Sequence, residues 1–320
     1  MSAYLQTLLP VVAVQIVLGY LLIRSRLAFL AWFALLFLLM LTVGLFFKAT
    51  PILKMLALIA VTLIAMKTIV AAISYKRTTF KLRFIPWIAF STGWVGMRAQ
   101  SFESLGGSAL PGARKLQLTG LTRVLLGAAF IAAAHLTVDL PFARPVVFFI
   151  TTGLILTGLS FMLHFGLLTI TAGLWRLFGA NTYLLFRHPA NSRSLAEFWG
   201  KRWNLAFIEM LSIAVLRPLK NSIGKEKAVL LSFILSGLLH ELAITVPVNA
   251  GFGMPTAYFV IQGCAVLAEQ AIKKRNAPLF QSLLFAKTWL LFWLVAPIGL
   301  LFPYQFIRLI IWPLAGLNLI

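Results

Sequence analysis

Apolar residues in this chain of 320 run in blocks of about twenty, separated by short stretches in which Lys, Arg, Gly and Pro gather. That block length is what a helix needs to cross roughly 30 Å of hydrocarbon. Blocks begin near Tyr4, Leu27, Ile52, Leu116, Val146, Lys227, Pro255 and Ala286, and a ninth, shorter one is expected to close the chain. They are too long and too continuous for transmembrane barrel strands, which alternate over about ten residues. The pattern therefore predicts an all-α class, a polytopic transmembrane helical bundle of about eight to ten spans.

The block that starts near Lys227 breaks its own pattern with Ser236-Gly237-Leu238-Leu239-His240-Glu241-Leu242. An ionised carboxylate at a helix centre costs roughly 2.5 to 3.5 kcal/mol on insertion scales, so ionisable residues there are candidates for function by default. His240 is the first of them.

Composition agrees with the block pattern: 61% of residues are hydrophobic and 11% charged, which no water-soluble domain matches. The net charge of +21 takes its meaning from its distribution. Of 28 Lys and Arg, 22 fall between positions 24–26, 76–115, 176–227 and 273–287, whereas the alternate connections hold only Lys48, Lys54 and Arg144. The positive-inside rule then places the N-terminus outside and residues 176–227 in the cytoplasm, with a bacterial inner membrane as the expected location. The first block lacks a basic segment before Tyr4 and reads as a retained span. Lys67 and Arg123 lie inside blocks near basic ends and are expected to snorkel. The single cysteine, Cys264, sits in an apolar stretch, permits no internal disulfide, and reads as a small buried residue. No repeat or linker is visible, so one domain over 1–320 is expected.

Two stretches depart from the span pattern. Residues 80–115 mix Phe84, Trp87, Phe90, Trp94 and Phe102 with Arg83, Arg98 and Glu103, as an interfacial segment would. In residues 176–225, Ser194 followed by Glu197 is a capping box, which predicts a helix from Leu195 carrying Phe198, Trp199, Lys201, Arg202, Trp203 and Asn204. On such a helix Gly200 and Asn204 share a face, with Trp199 and Trp203 on the adjoining one.

The run Ser194-Leu195-Ala196-Glu197-Phe198-Trp199-Gly200-Lys201-Arg202-Trp203-Asn204, followed thirty-six residues later by His240 in its Ser-Gly-Leu-Leu-His-Glu-Leu setting, resembles the wax synthase branch of the membrane-bound O-acyltransferases. Trp94-Val95-Gly96-Met97-Arg98 with Phe102 resembles that branch's Trp-Pro-Gly-Met element, Val95 standing where proline is usual, and Leu163-His164-Phe165-Gly166 is similar as well. The likeness is specific from about 151 to 269. It implies that His240 is catalytic and Asn204 its polar partner. It also implies tilted helices around a tunnel, in which acyl-CoA from the cytoplasm meets a lipophilic alcohol acceptor, such as a fatty alcohol or sterol, at the histidine.

The chemistry stands beside that resemblance. Acyl transfer from a thioester to an alcohol requires removal of the hydroxyl proton, and a neutral imidazole can accept it. Charging an imidazole in hydrocarbon is costly, so the neutral form is the one at hand. Asn204 could donate its amide to the developing oxyanion or orient a carbonyl. Ser236, one turn before His240, is placed to fix the tautomer, and Gly237 admits a close neighbour. Trp199, Arg202, Trp203, His164 and Ser236 are the candidates for holding substrate. Glu241 points about a hundred degrees from His240 and is expected to pair with Arg202 or Arg217. The chain has seven acidic residues, no paired-Asp magnesium site, no zinc-spaced Cys/His cluster and no Walker loop, so no metal or tightly bound cofactor is expected. A transporter or lipid scramblase using His240 and Glu241 is the rival class; the lack of repeated halves speaks against it.

Overall fold

The computed structural model describes residues 2–25, 28–76, 78, 82–275 and 277–318. Among the described residues there is helix and no strand. Among the described residues six helices are long and apolar enough to cross a membrane: Tyr4–Arg24, Pro51–Ser74, Ala113–Thr137, Arg144–Leu177, Lys225–Val248 and Leu283–Leu301. They answer six of the expected blocks. The block expected from Leu27 begins outside the described residues and continues as the shorter helix Leu30–Leu45. The aromatic segment expected from Phe80 also starts outside them, and its described part forms the ten-residue helix Phe84–Gly93. The block near Pro255 is the helix Met254–Arg275, whose composition is diluted by Gln262, Glu269, Lys273, Lys274 and Arg275. After Pro303 the chain continues as short turns of helix from Tyr304 to Leu314.

Burial is inverted relative to a soluble protein. Leu284 and Leu136 are more than three-quarters exposed, while Lys67, Gln262 and Glu269 are completely buried. A surface of that kind is stable only where the surroundings are apolar, and the protein is an integral, multi-pass membrane protein. Cys264 lies on this exposed side and is not the buried small residue that its apolar neighbours suggest.

The chain forms two compact units: residues 1–99 with 186–303, and residues 100–185 with 304–320. In the second, Ala113–Thr137 and Arg144–Leu177 pack so closely that only glycine fits at the crossing. A Cβ on Gly127 would meet the Gly158 carbonyl at 2.6 Å, and one on Gly120 would meet the Gly166 carbonyl at 2.8 Å. Arg123 does not snorkel. Its Nη1 donates to the Phe165 carbonyl and to the Thr169 hydroxyl, both at 3.3 Å, across this contact.

In the first unit the central helix is Pro51–Ser74, two-thirds of whose apolar window is buried. Lys225–Val248, hereafter the histidine helix, packs along Met254–Arg275. Gly237 makes that approach possible, because a Cβ there would fall 2.6 Å from the Thr256 Cα.

Candidate active site

Ser194 caps a helix as its sequence context predicts, accepting from the Glu197 N–H at 3.0 Å, and Glu197 reaches back to the Arg193 N–H at 2.8 Å. The helix that follows is short. Leu195–Glu197 widens into a π-turn over Phe198–Arg202 and stops at Trp203, whose backbone is extended. Asn204 does not belong to this helix. It takes the left-handed conformation, φ 45, which asparagine tolerates better than most residues, and it caps the next helix, Leu205–Leu211, by accepting from the Phe207 N–H at 3.4 Å. Gly200 and Asn204 are thus brought together by a corner and not by a shared helical face.

Two buried polar residues of Met254–Arg275 hold this corner from behind. The Glu269 carboxylate accepts the Leu195 N–H at 2.8 Å and the Lys273 ammonium at 3.2 Å, which satisfies an orphan donor at the helix start. Gln262 accepts the Trp199 indole N–H at 3.0 Å and donates its amide to the Trp293 carbonyl. Trp199 is further held between Phe233, 6.1 Å away, and Phe259, 5.7 Å away. The Trp203 ring stacks on Phe198 at 5.3 Å. None of this support was read from the sequence, although Phe259, Gln262, Val266, Glu269 and Lys273 recur at helical spacing and so share one face.

His240 projects from the histidine helix with its Nδ1 at 2.7 Å from the Ser236 carbonyl. A carbonyl oxygen can only accept, so Nδ1 carries the proton and Nε2 of the neutral ring keeps its lone pair. It is thus the backbone of Ser236, one turn back, that fixes the tautomer. The imidazole is flanked by Phe259 at 4.3 Å and Phe207 at 5.3 Å between ring centroids.

Glu241 pairs with neither Arg202 nor Arg217. Its carboxylate takes the Thr245 hydroxyl and, across the helix contact, the Thr256 N–H at 3.0 Å and hydroxyl at 2.9 Å. It therefore caps the first turn of Met254–Arg275, where backbone donors lack helical partners and a negative charge meets the positive end of the helix. The expected arginine is engaged elsewhere: the Arg202 guanidinium sits 2.6 Å from Glu197 and donates to the Arg187 and His188 carbonyls.

These elements enclose a cavity of about 380 Å³, in the range of small-molecule sites. One face of the histidine helix, Val229, Ser232, Phe233, Ser236 and His240, forms one wall; Ala196, Trp199, Gly200, Trp203, Asn204, Phe207, Ile208, Leu211, Ser212 and Leu216 form another, closed by Phe259, Val266 and Gln270. Of the residues singled out from the sequence, His240, Asn204, Trp199, Trp203 and Ser236 line it. Arg202 does not, and His164 lies in a π-turn of the second unit, Phe161–Leu167, outside the lining.

Residues 183–261, which carry the corner, the histidine and the Glu241 cap, match the model of the Membrane bound O-acyl transferase family. Over this segment the chain is similar to that family. A long-chain-alcohol O-fatty-acyltransferase of Simmondsia chinensis is 30% identical over 105 residues, 30% of this chain and 30% of that protein. The probable long-chain-alcohol O-fatty-acyltransferase 1 of Arabidopsis thaliana is 34% identical over 107 residues, 31% of each. The match spans less than a third of either relative's length. The matched segment contains His240 and Asn204, while Glu269, which accepts the Leu195 N–H, lies outside it.

Proposed function

We propose that this protein transfers an acyl group from acyl-CoA to the hydroxyl of a lipophilic alcohol, with a long-chain fatty alcohol as the first candidate acceptor. The single observation that carries the reading is a tautomer-fixed imidazole facing an apolar cavity that also holds a side-chain amide. With Nδ1–H held by Ser236, Nε2 takes the hydroxyl proton as the alcohol oxygen attacks the thioester carbonyl. The Asn204 Oδ1 is occupied by the Phe207 N–H, so its Nδ2 donors are directed away from the helix and can receive the oxyanion. Collapse of the tetrahedral intermediate breaks the carbon–sulfur bond, and the departing CoA thiolate recovers the proton from Nε2. Ester and CoA are the products, and the cycle needs no bound metal or cofactor.

Val229 and His240 are eleven residues apart on one helix face, which spaces the cavity's ends by about 16 Å. Basic residues collect at the Val229 end: Lys225 and Lys227 one turn away or less, Arg217 beside Leu216, and Lys273 and Lys274 within about a turn of Gln270. In this proposal the donor's phosphates meet that cytoplasmic rim and its arm runs past Ser232 and Ser236 toward the imidazole. The whole chain acts as one acyltransferase domain. A transport role gains no support from the relatives' names.

The test is direct. Purified chain in detergent, given palmitoyl-CoA and hexadecan-1-ol, should yield hexadecyl palmitate and CoA in equal amounts. CoA without ester would make it a thioesterase, and neither product would defeat the reading.

A further inference from the structure

Lys67 is a completely buried basic side chain of the first unit, and nothing in the proposed chemistry uses it. It lies within Pro51–Ser74, has no exposed surface and forms no ion pair with a carboxylate among the described residues; it does not snorkel. Its Nζ donates to the Phe90 carbonyl at 2.6 Å and the Gly96 carbonyl at 3.1 Å, and sits 3.9 Å from the Phe90 ring centroid. The first carbonyl is one of the last four of Phe84–Gly93, which have no helical partner, and a cation there also meets the negative end of the helix. An ammonium has three donors, and two carbonyls and a ring face accommodate them.

The segment fastened in this way reaches the active site. Trp94 is buried over Gly96, where a Cβ would fall 2.8 Å from the indole Cε2, so the chain turns tightly at the carbonyl that Lys67 holds. Two residues on, the Arg98 guanidinium meets Glu209 at 2.7 Å. Glu209 belongs to Leu205–Leu211, the helix that Asn204 caps. Lys67, Gly96, Arg98, Glu209 and Asn204 thus form a continuous mechanical series.

We infer that Lys67 is a positioning residue: through the Trp94–Arg98 turn and the Arg98–Glu209 ion pair it sets where Asn204 stands in the cavity. The inference rests on the acyltransferase reading. A residue acting this way affects turnover more than substrate affinity, and a misplacement on the order of 1 Å can lower rate by about a hundredfold. Its effect must also vanish when the amide it positions is gone.

The experiment is a double-mutant cycle on the full chain with palmitoyl-CoA and hexadecan-1-ol, measuring kcat and KM for wild type, Lys67→Met, Asn204→Asp and the double variant, with Arg98→Met run in parallel. Lys67→Met and Arg98→Met should each lower kcat about ten- to a hundredfold with KM nearly unchanged, and should add less than about twofold in the Asn204→Asp background. Equal losses in both backgrounds, or undiminished kcat in the single variants, overturn the inference while leaving the acyltransferase reading intact. A wild type that releases no CoA removes both. Should Lys67→Met aggregate, Arg98→Met decides alone, because its guanidinium is more than half exposed and its loss does not leave a buried void.

Discussion

The Phe207 ring lies 5.3 Å from the imidazole of His240. The backbone N–H of the same phenylalanine is the donor that Asn204 caps, so one residue joins the two polar groups of the cavity through its side chain and its main chain. The amide and the imidazole are therefore held by a common element, and a change at Asn204 acts on both a cap and a donor.

That double duty separates two substitutions. Asn204→Asp keeps a capping oxygen and a side chain that tolerates the left-handed backbone, so it should fold like the wild type. It replaces the amide donor with a charge that repels an oxyanion, and turnover should fall about a hundred- to a thousandfold. Asn204→Ala should lose a similar amount of activity and, in addition, about 1 kcal/mol of stability with the cap. Thermal melting beside ester formation checks the order; full activity in Asn204→Asp would return the residue to capping alone.

His240→Ala should give a folded, membrane-inserted protein whose ester formation drops by at least roughly 10²- to 10⁴-fold, because the acceptor hydroxyl then has no positioned base. The stability change should stay small, since an intramembrane side-chain hydrogen bond averages below about 1 kcal/mol. Ester yield, read on samples matched for monodispersity, is the measurement. Wild-type turnover by well-folded His240→Ala would end the general-base assignment.

The helices, and His240 as a residue of the cavity wall, were legible because both are one-dimensional signals: runs of apolar residues, and a polar pair interrupting one. The capping box at Ser194 was legible for the same reason. The corner at Asn204 was not, because a π-turn and a left-handed residue break the 3.6-residue spacing on which the shared face with Gly200 relied. Partners of buried charges were also out of reach. Glu241 was expected to seek an arginine, yet a helix start supplied neutral donors instead, and Lys67 found carbonyls at a helix end and in the turn after it, twenty-three and twenty-nine residues away, where snorkelling had been expected.

The Glu241 cap predicts an asymmetry that an ion pair would not show. In Glu241→Gln the amide oxygen can still accept both Thr256 donors, and the Thr245 hydroxyl retains its bond to the Glu241 backbone carbonyl at 3.1 Å. Stability should change by less than about 1 kcal/mol. Glu241→Ala leaves the Thr256 donors without an acceptor, a loss of roughly 1 to 3 kcal/mol per buried group. Equal damage from both substitutions, measured by thermal unfolding in detergent, would show that the charge itself is needed.

Glu197 gives a pH dependence outside the spans. The Arg193 N–H and then the Arg202 guanidinium stabilise its carboxylate and hold its pKa below the ordinary value, against the opposing effect of partial burial. A carboxylate lowered in the folded state contributes stability above the unfolded pKa of about 4.3, and that contribution is lost as pH falls through the lower folded value. Unfolding followed from pH 6 down to pH 3 should show an acid-side decline that Glu197→Gln reduces. A decline of the same size in both proteins would assign it to other carboxylates.

Orientation is the prediction on which the cytosolic donor depends. Basic residues divide 22 to 3 between alternate connections, so the segment 176–227 should face the cytoplasm. Ser192 is fully buried and would hide a reporter, whereas Ser222 is exposed at the end of Arg217–Ile223. The native Cys264 is exposed on the apolar surface and is first replaced by serine. A cysteine at position 222 in that background should resist a membrane-impermeant maleimide added to intact cells and react once the membrane is opened. Labelling from outside would place the basic rim of the cavity on the side that holds no acyl-CoA. The mechanism would then lack its donor, even with His240 and Asn204 placed as they are.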